Sequence, residues 1–311
     1  MITKKALLVL PVAVLLVLGL VPGAALGVEG THLMMSAPDV EAAVGAQFEM
    51  PVRVRGTVVE ADGENLVRFY GIIPGLEADD IELFAIEGGG PAIVVDVFER
   101  EAIEAEDGDL VIAWGPAGGF PLGTYAGDDE GQYGHNDGRT TDFLAAISAL
   151  GVYEVTFVLY DWSKGEQINP EDETAMILIA DHYAKVSGGI HGQGNQGRGQ
   201  GSGAPTHAFE GFVIHDSGSG ETIGQIAINY RQLREVVTFT PGESGTFALQ
   251  DGTAILTGWT NGGGLSADIT LVDQSVHPSR GAIEVDASDD DYDIDFVGLE
   301  RGNVHVVDLT E

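Results

Sequence analysis

The chain has 311 residues, 49 acidic against 14 basic side chains, a formal net charge of −35 and no cysteine. That balance excludes nucleic acid and anionic lipid as partners, because both are held through basic groups that displace counterions. Without cysteine there are no disulfides, thiolate-built zinc sites or cysteine nucleophiles, so stability must come from buried apolar surface.

The first residues, Met1 to Lys5, form a short basic region without acid. An apolar run from Ala6 to Leu20 follows, and then the small-residue stretch Val21-Pro22-Gly23-Ala24-Ala25-Leu26-Gly27. This order of charge, apolar run and small residues is the pattern of a secretory signal over residues 1–27, with cleavage expected after Ala25 or Gly27. A spanning helix needs about 20 apolar residues, and this run is shorter and contains Pro11. No second apolar run of that length occurs. The expected location is therefore secreted or extracellular, including non-covalent association with the cell surface, with no membrane insertion after signal removal.

Residues 28–186 read as a β-sandwich domain. Phe48, Met50, Val52 and Val54 alternate with Glu49, Arg53 and Arg55, the period-2 signature of a half-buried strand. Further strands are expected at Leu66–Ile72, Ile81–Ile86, Ala92–Phe98 and Asp109–Trp114, separated by Gly-, Pro- and Asp-rich turns. One short helix is expected after Thr140 or Thr141, with Asp142 at its positive end, Phe143, Ile147 and Leu150 on one face, and Gly151 as its stop. Gly151–Asp161 places Tyr153, Val155, Phe157 and Leu159 on one strand face, and Ala175–Val186 is expected to close the domain.

Residues 187–205 alternate Gly with polar residues and cannot bury enough surface to offset chain entropy. They read as a flexible Gly-rich linker. Beyond it, residues 206–311 carry strand patterns at Ala208–His215, Glu221–Tyr230, Val236–Thr240, Gly245–Leu249, Thr253–Trp259, Ser266–Asp273, Ala282–Asp286, Asp291–Val297 and Asn303–Asp308. Turn signals at this spacing predict a second domain, an antiparallel β-sandwich or small barrel. The fold class expected of the whole chain is all-β.

Two segments resemble known families. Gly224–Tyr230, Ser266–Asp273, Gly281–Val285 and Gly298–Val306 together resemble the post-COAP-like β-domain of exported bacterial and archaeal proteins. The departure lies at Gln274–Arg280, where that family has a turn rich in Gly, Asn and Asp. This resemblance implies location and fold. In the N-terminal part, Val44–Val54 is similar to the opening strands of cohesin-like modules, and Gly151–Asp161 is similar to a late strand of immunoglobulin-like surface repeats. These similarities imply a sandwich of the adhesion or scaffold type.

Calcium needs six to eight oxygens from clustered carboxylates and carbonyls. Asp128, Asp129, Glu130, Asn136 and Asp137, in a Gly-containing loop over 115–139, are the candidate ligands, with a solvated insertion as the competing reading. Asp291, Asp293 and Asp295 alternate with Tyr292, Ile294 and Phe296, so they are expected to line one strand face in a row that cannot wrap a single ion. Asp286–Asp290 forms the adjoining acidic turn, and His277 and His305 have the option of meeting in space. A glycosidase would need two carboxyls about 5–10 Å apart in an aromatic cleft, for which Trp114, Trp162 and Trp259 are the available indoles. No Gly-x-Ser-x-Gly elbow or phosphate loop occurs, and no catalytic or cofactor-binding residue stands out.

The sequence therefore points to a non-catalytic exported protein acting in cell-surface adhesion, envelope structure or ligand binding, with glycans or other surface proteins as partners. The alternatives are a carbohydrate-binding or carbohydrate-active protein, or a filament subunit that donates its early strand, Thr31–Ser36, to a neighbour.

Overall fold

The computed structural model describes residues 32–57, 66–84, 93–94, 103, 105–114, 120–121, 139–161, 166–167, 173–190, 207–231, 233–277 and 279–310. The first strands in chain order are β1 (His32–Ser36), β2 (Val40–Ala42), β3 (Gln47–Thr57), β4 (Leu66–Ile73), β5 (Ile81–Leu83) and β6 (Ile93–Val94). They are followed by β7 (Leu110–Trp114), β8 (Phe120–Pro121), β9 (Arg139–Ile147), β10 (Gly151–Asp161), β11 (Glu166–Gln167) and β12 (Glu173–Ile179). Next come β13 (His182–Ile190), β14 (His207–His215), β15 (Thr222–Tyr230), β16 (Glu235–Gln250) and β17 (Thr253–Thr260). The last are β18 (Ser266–Val272), β19 (Ala282–Ala287), β20 (Ile294–Gly298) and β21 (Arg301–Asp308). The chain is all-β.

Two sheets form a sandwich. One runs β1-β3-β9-β5; the other runs β2-β12-β10-β4-β7-β6, with β11 and β8 pairing β10 and β4. The alternation read in β3 and β10 is what joins them. Phe48, Met50, Val52, Ala145 and Ile147 of the first sheet pack against Val155, Phe157, Leu159, Ile177 and Ile179 of the second. The opposite face of the second sheet is also covered, by a smaller cluster of Tyr70, Ile103, Val111, Ala113, Val158 and Tyr160.

The helix expected after Thr140 is instead strand β9. It lies between β3 and β5, with Met50 opposite Phe143 and Ile81 opposite Ile147. The helix-forming Leu144-Ala145-Ala146 is overridden because a strand at this place supplies hydrogen bonds to two neighbours and buries Ala145 and Ile147. The early strand that the filament alternative would donate pairs within its own chain, β1 running antiparallel to β3.

A third sheet holds nine antiparallel strands in the order β20-β19-β18-β17-β16-β15-β14-β13-β21. Its strands from β14 to β20 follow one another as a meander, and β21 returns beside β13. The two patterns at Val236–Thr240 and Gly245–Leu249 are halves of one strand, β16, whose pairing with β17 shifts register between Pro241 and Thr246. The first half pairs β15 and the second pairs β17, so the irregularity turns a corner in the sheet. The curl encloses Ile226, Ile228, Phe239, Leu256, Trp259, Ile269 and Val304. It is drawn together where β21 meets the β18–β19 connection: Gln274 N donates to Val304 O, and Val304 N donates to Arg280 O. The buried Asp273 carboxylate accepts there from Ser275 N at 2.6 Å and from Val306 N at 2.7 Å.

The expectation that Ala175–Val186 closes the first domain, with a linker from Ser187, is corrected. Residues 173–179 end the sandwich as β12, whereas 182–190 form β13, paired with β14 and β21. Only Ala180 and Asp181 stand between the sheets. The Gly-rich stretch 191–206 joins two neighbours of one hairpin and lies outside the described residues. At the crossing, Ala180 N donates to Ala42 O. The buried Asp181 carboxylate accepts from Val44 N (3.2 Å) on the sandwich side and from Ser217 N (2.9 Å) and Ser217 Oγ on the other. Tyr183 OH adds a bond to the Glu41 carboxylate at 3.2 Å.

Candidate functional site

Asp181 is followed directly by His182, the first residue of β13, and the antiparallel registers fix what lies on either side of it. His215, the last residue of β14, is its partner on one flank and Asp308, at the end of β21, on the other. Cross-strand partners share a sheet face. Two imidazoles and a carboxylate thus stand side by side at one end of the third sheet. Phe247 and Leu249, two apart on β16, face the same space, as does Val306, two before Asp308. The turn Asp251-Gly252 completes the rim. Together these residues line a half-open cavity of about 450 Å³ at the mouth of the curled sheet. Mouths of β-barrels are among the usual places for ligand sites.

The rings form a parallel group. His215 stacks on Phe247 at 5.0 Å between centroids, and His182 lies 6.0 Å from His215 and 6.2 Å from Phe247, with interplanar angles between 7° and 19°. Phe247 is 7% exposed, so little of its face is open. His215 Nδ1 is held by Thr222 Oγ1 at 2.9 Å. Burial, and then the neighbouring His182, push the His215 imidazole below its usual value, favouring its neutral form. His182 Nδ1 lies 3.3 Å from Asp308 Oδ1, at ion-pair distance, but without the alignment of a hydrogen bond. Asp308 Oδ1 also accepts from Thr310 Oγ1 (2.6 Å) and Thr310 N (2.9 Å), which hold the carboxyl below its ordinary value and keep it charged. His215 and Asp308 are therefore pre-positioned by neighbours outside the cavity.

The residues singled out from sequence fall elsewhere. Asp128, Asp129, Glu130, Asn136 and Asp137 lie outside the described residues, as does Trp162. Trp114 ends β7, opposite Phe69 of β4. Trp259 is fully buried in the core of the third sheet, so it lines no cleft. The acidic row is corrected: Asp290–Tyr292 is a short 3-10 turn capped by Asp289, and the Asp293 carboxylate accepts from Ala287 N at 2.7 Å. Of the three carboxylates, only Asp295 lies on a strand. His305 meets Gln274 and Asn303 through their side-chain amides. Among the described residues no group of three His, Asp or Glu is placed to hold a metal ion. Among them, too, no helix is long and apolar enough to cross a membrane.

His182, His215 and Asp308 carried no motif. Their one available signal was the pairing of 182–190 with 207–215 across the Gly-rich stretch, which the linker reading concealed.

No protein-family model matches the chain, and no curated protein does. Among solved structures the chain is similar to cohesin modules. One is the OlpA cohesin of a type I cohesin–dockerin complex from Clostridium thermocellum (12% identity, 48% of this chain and 99% of that one, TM-score 0.26). Another is a non-cellulosomal cohesin from the archaeon Archaeoglobus fulgidus (13% identity, 48% and 91% covered, TM-score 0.26). A third is the cohesin module of a family 33 glycoside hydrolase from Clostridium perfringens (11% identity, 48% and 96% covered, TM-score 0.26).

Proposed function

We propose that the chain is a non-catalytic exported protein that recognises a partner at or beyond the cell surface, with the mouth of the third sheet as its binding site. The observation that carries this reading is the convergence of β13, β14, β16 and β21 on one open cavity, two of whose polar members, His215 and Asp308, are fixed from behind. Side chains held by Thr222 and Thr310 need little reordering on binding, and reduced ordering cost is what lets a small surface recognise a ligand. The basic, apolar and small-residue order of residues 1–27 supports export. Other surface proteins are the favoured partner class over glycans, because Phe247 offers little free face for a sugar ring. Calcium at Asp128, Asp129, Glu130, Asn136 and Asp137 belongs to the same proposal, as a brace for that loop.

The test is a fragment screen by methyl NMR on the mature protein, with a hydrolase substrate panel alongside. Perturbations centred on Leu249 and Val306, with no turnover, are the expected outcome. Silence at those methyls across the library would overturn the binding site. Turnover abolished by changing one acidic pair would overturn the non-catalytic reading.

A further inference from the structure

The cavity described above has an uneven chemistry. Its walls are Phe247, Leu249 and Val306, its rim carries the carboxylates of Asp251 and Asp308, and among the described residues no Lys or Arg lines it. Both Thr310 bonds fall on Asp308 Oδ1, which leaves Oδ2 with acceptor capacity. His182 Nδ1 is buried, without a hydrogen-bond partner, at 3.3 Å from that carboxylate. An acceptor-rich rim and an apolar wall match a group that brings several donors, a positive charge and an aliphatic stem. A primary ammonium has three donors and no acceptor, and its four-carbon stem buries along apolar surface. A chain of net charge −35 also draws cations toward itself.

We infer that the mouth of the third sheet captures a lysine side chain of a partner protein, its ammonium between Asp308 and Asp251 and its stem against Leu249 and Val306. This rests on the reading of the cavity as a binding site and adds the chemistry of the occupant. A buried sugar platform is the weaker fit, because the Phe247 face is taken by His215.

The experiment titrates the mature protein with N-acetyl-lysine methylamide and, separately, with the neutral isostere N-acetyl-norleucine methylamide, following the methyls of Leu249 and Val306 by NMR. The lysine probe is expected to move these signals and the norleucine probe to leave them in place. Asp308→Asn and Asp251→Asn are each expected to weaken lysine-probe binding by about fivefold, the upper range for a partly exposed charge pair. Asp251→Asn serves as the folding control, because Asp251 is exposed in a turn with φ of 47°, a conformation Asn adopts readily. Equal response to the two probes, or unchanged lysine-probe affinity in Asp251→Asn, would overturn the inference. If neutral fragments move these methyls and the lysine probe does not, the binding site stands and its cationic occupant falls. If nothing moves them, both fall.

Discussion

Replacing Asp181 with alanine removes a carboxylate shared by the sandwich and the third sheet. The side chain is 8% exposed and accepts from Val44 N, Ser217 N and Ser217 Oγ. Hydrogen bonds to a charged group contribute about 1.5–3 kcal/mol each, and bonds sharing one acceptor group are not additive. The change would also leave two backbone N–H groups at a covered junction without a partner, each at a cost of about 1–3 kcal/mol. A net loss of about 3–5 kcal/mol follows from the lost bonds and the unpaired N–H groups taken together. For a chain of this size that corresponds to a fall in Tm of roughly 10 °C. The assay is differential scanning calorimetry with limited proteolysis. The wild type should unfold the sandwich and third sheet together. Asp181→Ala should split or lower the transition and expose the chain near residue 180 to cleavage. Asp181→Asn should behave similarly, because its amide nitrogen would turn donors toward the Ser217 N–H. A variant melting within about 1 °C of wild type, with no new cleavage, would refute the view that this carboxylate couples the two.

Gly302, at φ +82°, faces Gly188 across β13 and β21, and a Cβ there would meet the Ser187 carbonyl oxygen. Gly302→Ala should therefore cost at least about 3 kcal/mol, and a wild-type urea midpoint would contradict this. Burial raises the pKa of Asp273, but the bonds from Ser275 and Val306 outweigh it, and its folded pKa lies below the ordinary value. Its stabilisation is thus present above about pH 4 and lost as pH falls through the depressed folded value. Urea titrations from pH 7 to pH 2.5 should show Asp273→Asn less stable at neutral pH, with a flatter acid dependence than wild type. Tyr153 and Tyr183 are pushed up to about 12 by burial, and secondarily by Asp80 and Glu41 respectively. Absorbance at 295 nm should show these two phenols ionising late, near pH 12, and Tyr230, which burial raises further, later still; the stabilisation from Tyr153 and Tyr183 is intact below about pH 10 and lost as pH rises through 12. Ionisation of every tyrosine near pH 10 would count against the packing at both.

The strands that sequence made legible are those with one buried face. In β3, the buried Phe48, Met50 and Val52 alternate with exposed or half-buried neighbours, and in β10 the Tyr153, Val155, Phe157 and Leu159 face meets the opposite sheet as the alternation requires. In β9, Leu144-Ala145-Ala146 satisfies a helix and a strand equally well over a few residues, and only the neighbours β3 and β5 decide between them. The candidate cavity was illegible for a related reason. His182, His215, Phe247 and Asp308 are far apart in sequence and meet only through the β13–β14 and β13–β21 registers, which local pattern does not encode.

Composition alone determined that the surface is acidic, that thiol chemistry is absent and that residues 1–27 have the order of an export signal, because these depend on which residues are present and in what local order. Alternation determined that the chain is all-β. The tertiary structure decided which strands share a sheet, and so moved the division of the described chain from the Gly-rich stretch to Ala180-Asp181. It also decided that a buried aspartate is hydrogen-bonded from both the sandwich side and the third-sheet side, and that two histidines and an aspartate stand together at one mouth. These are consequences of pairing between distant segments, whose register is set by the whole sheet rather than by any one strand.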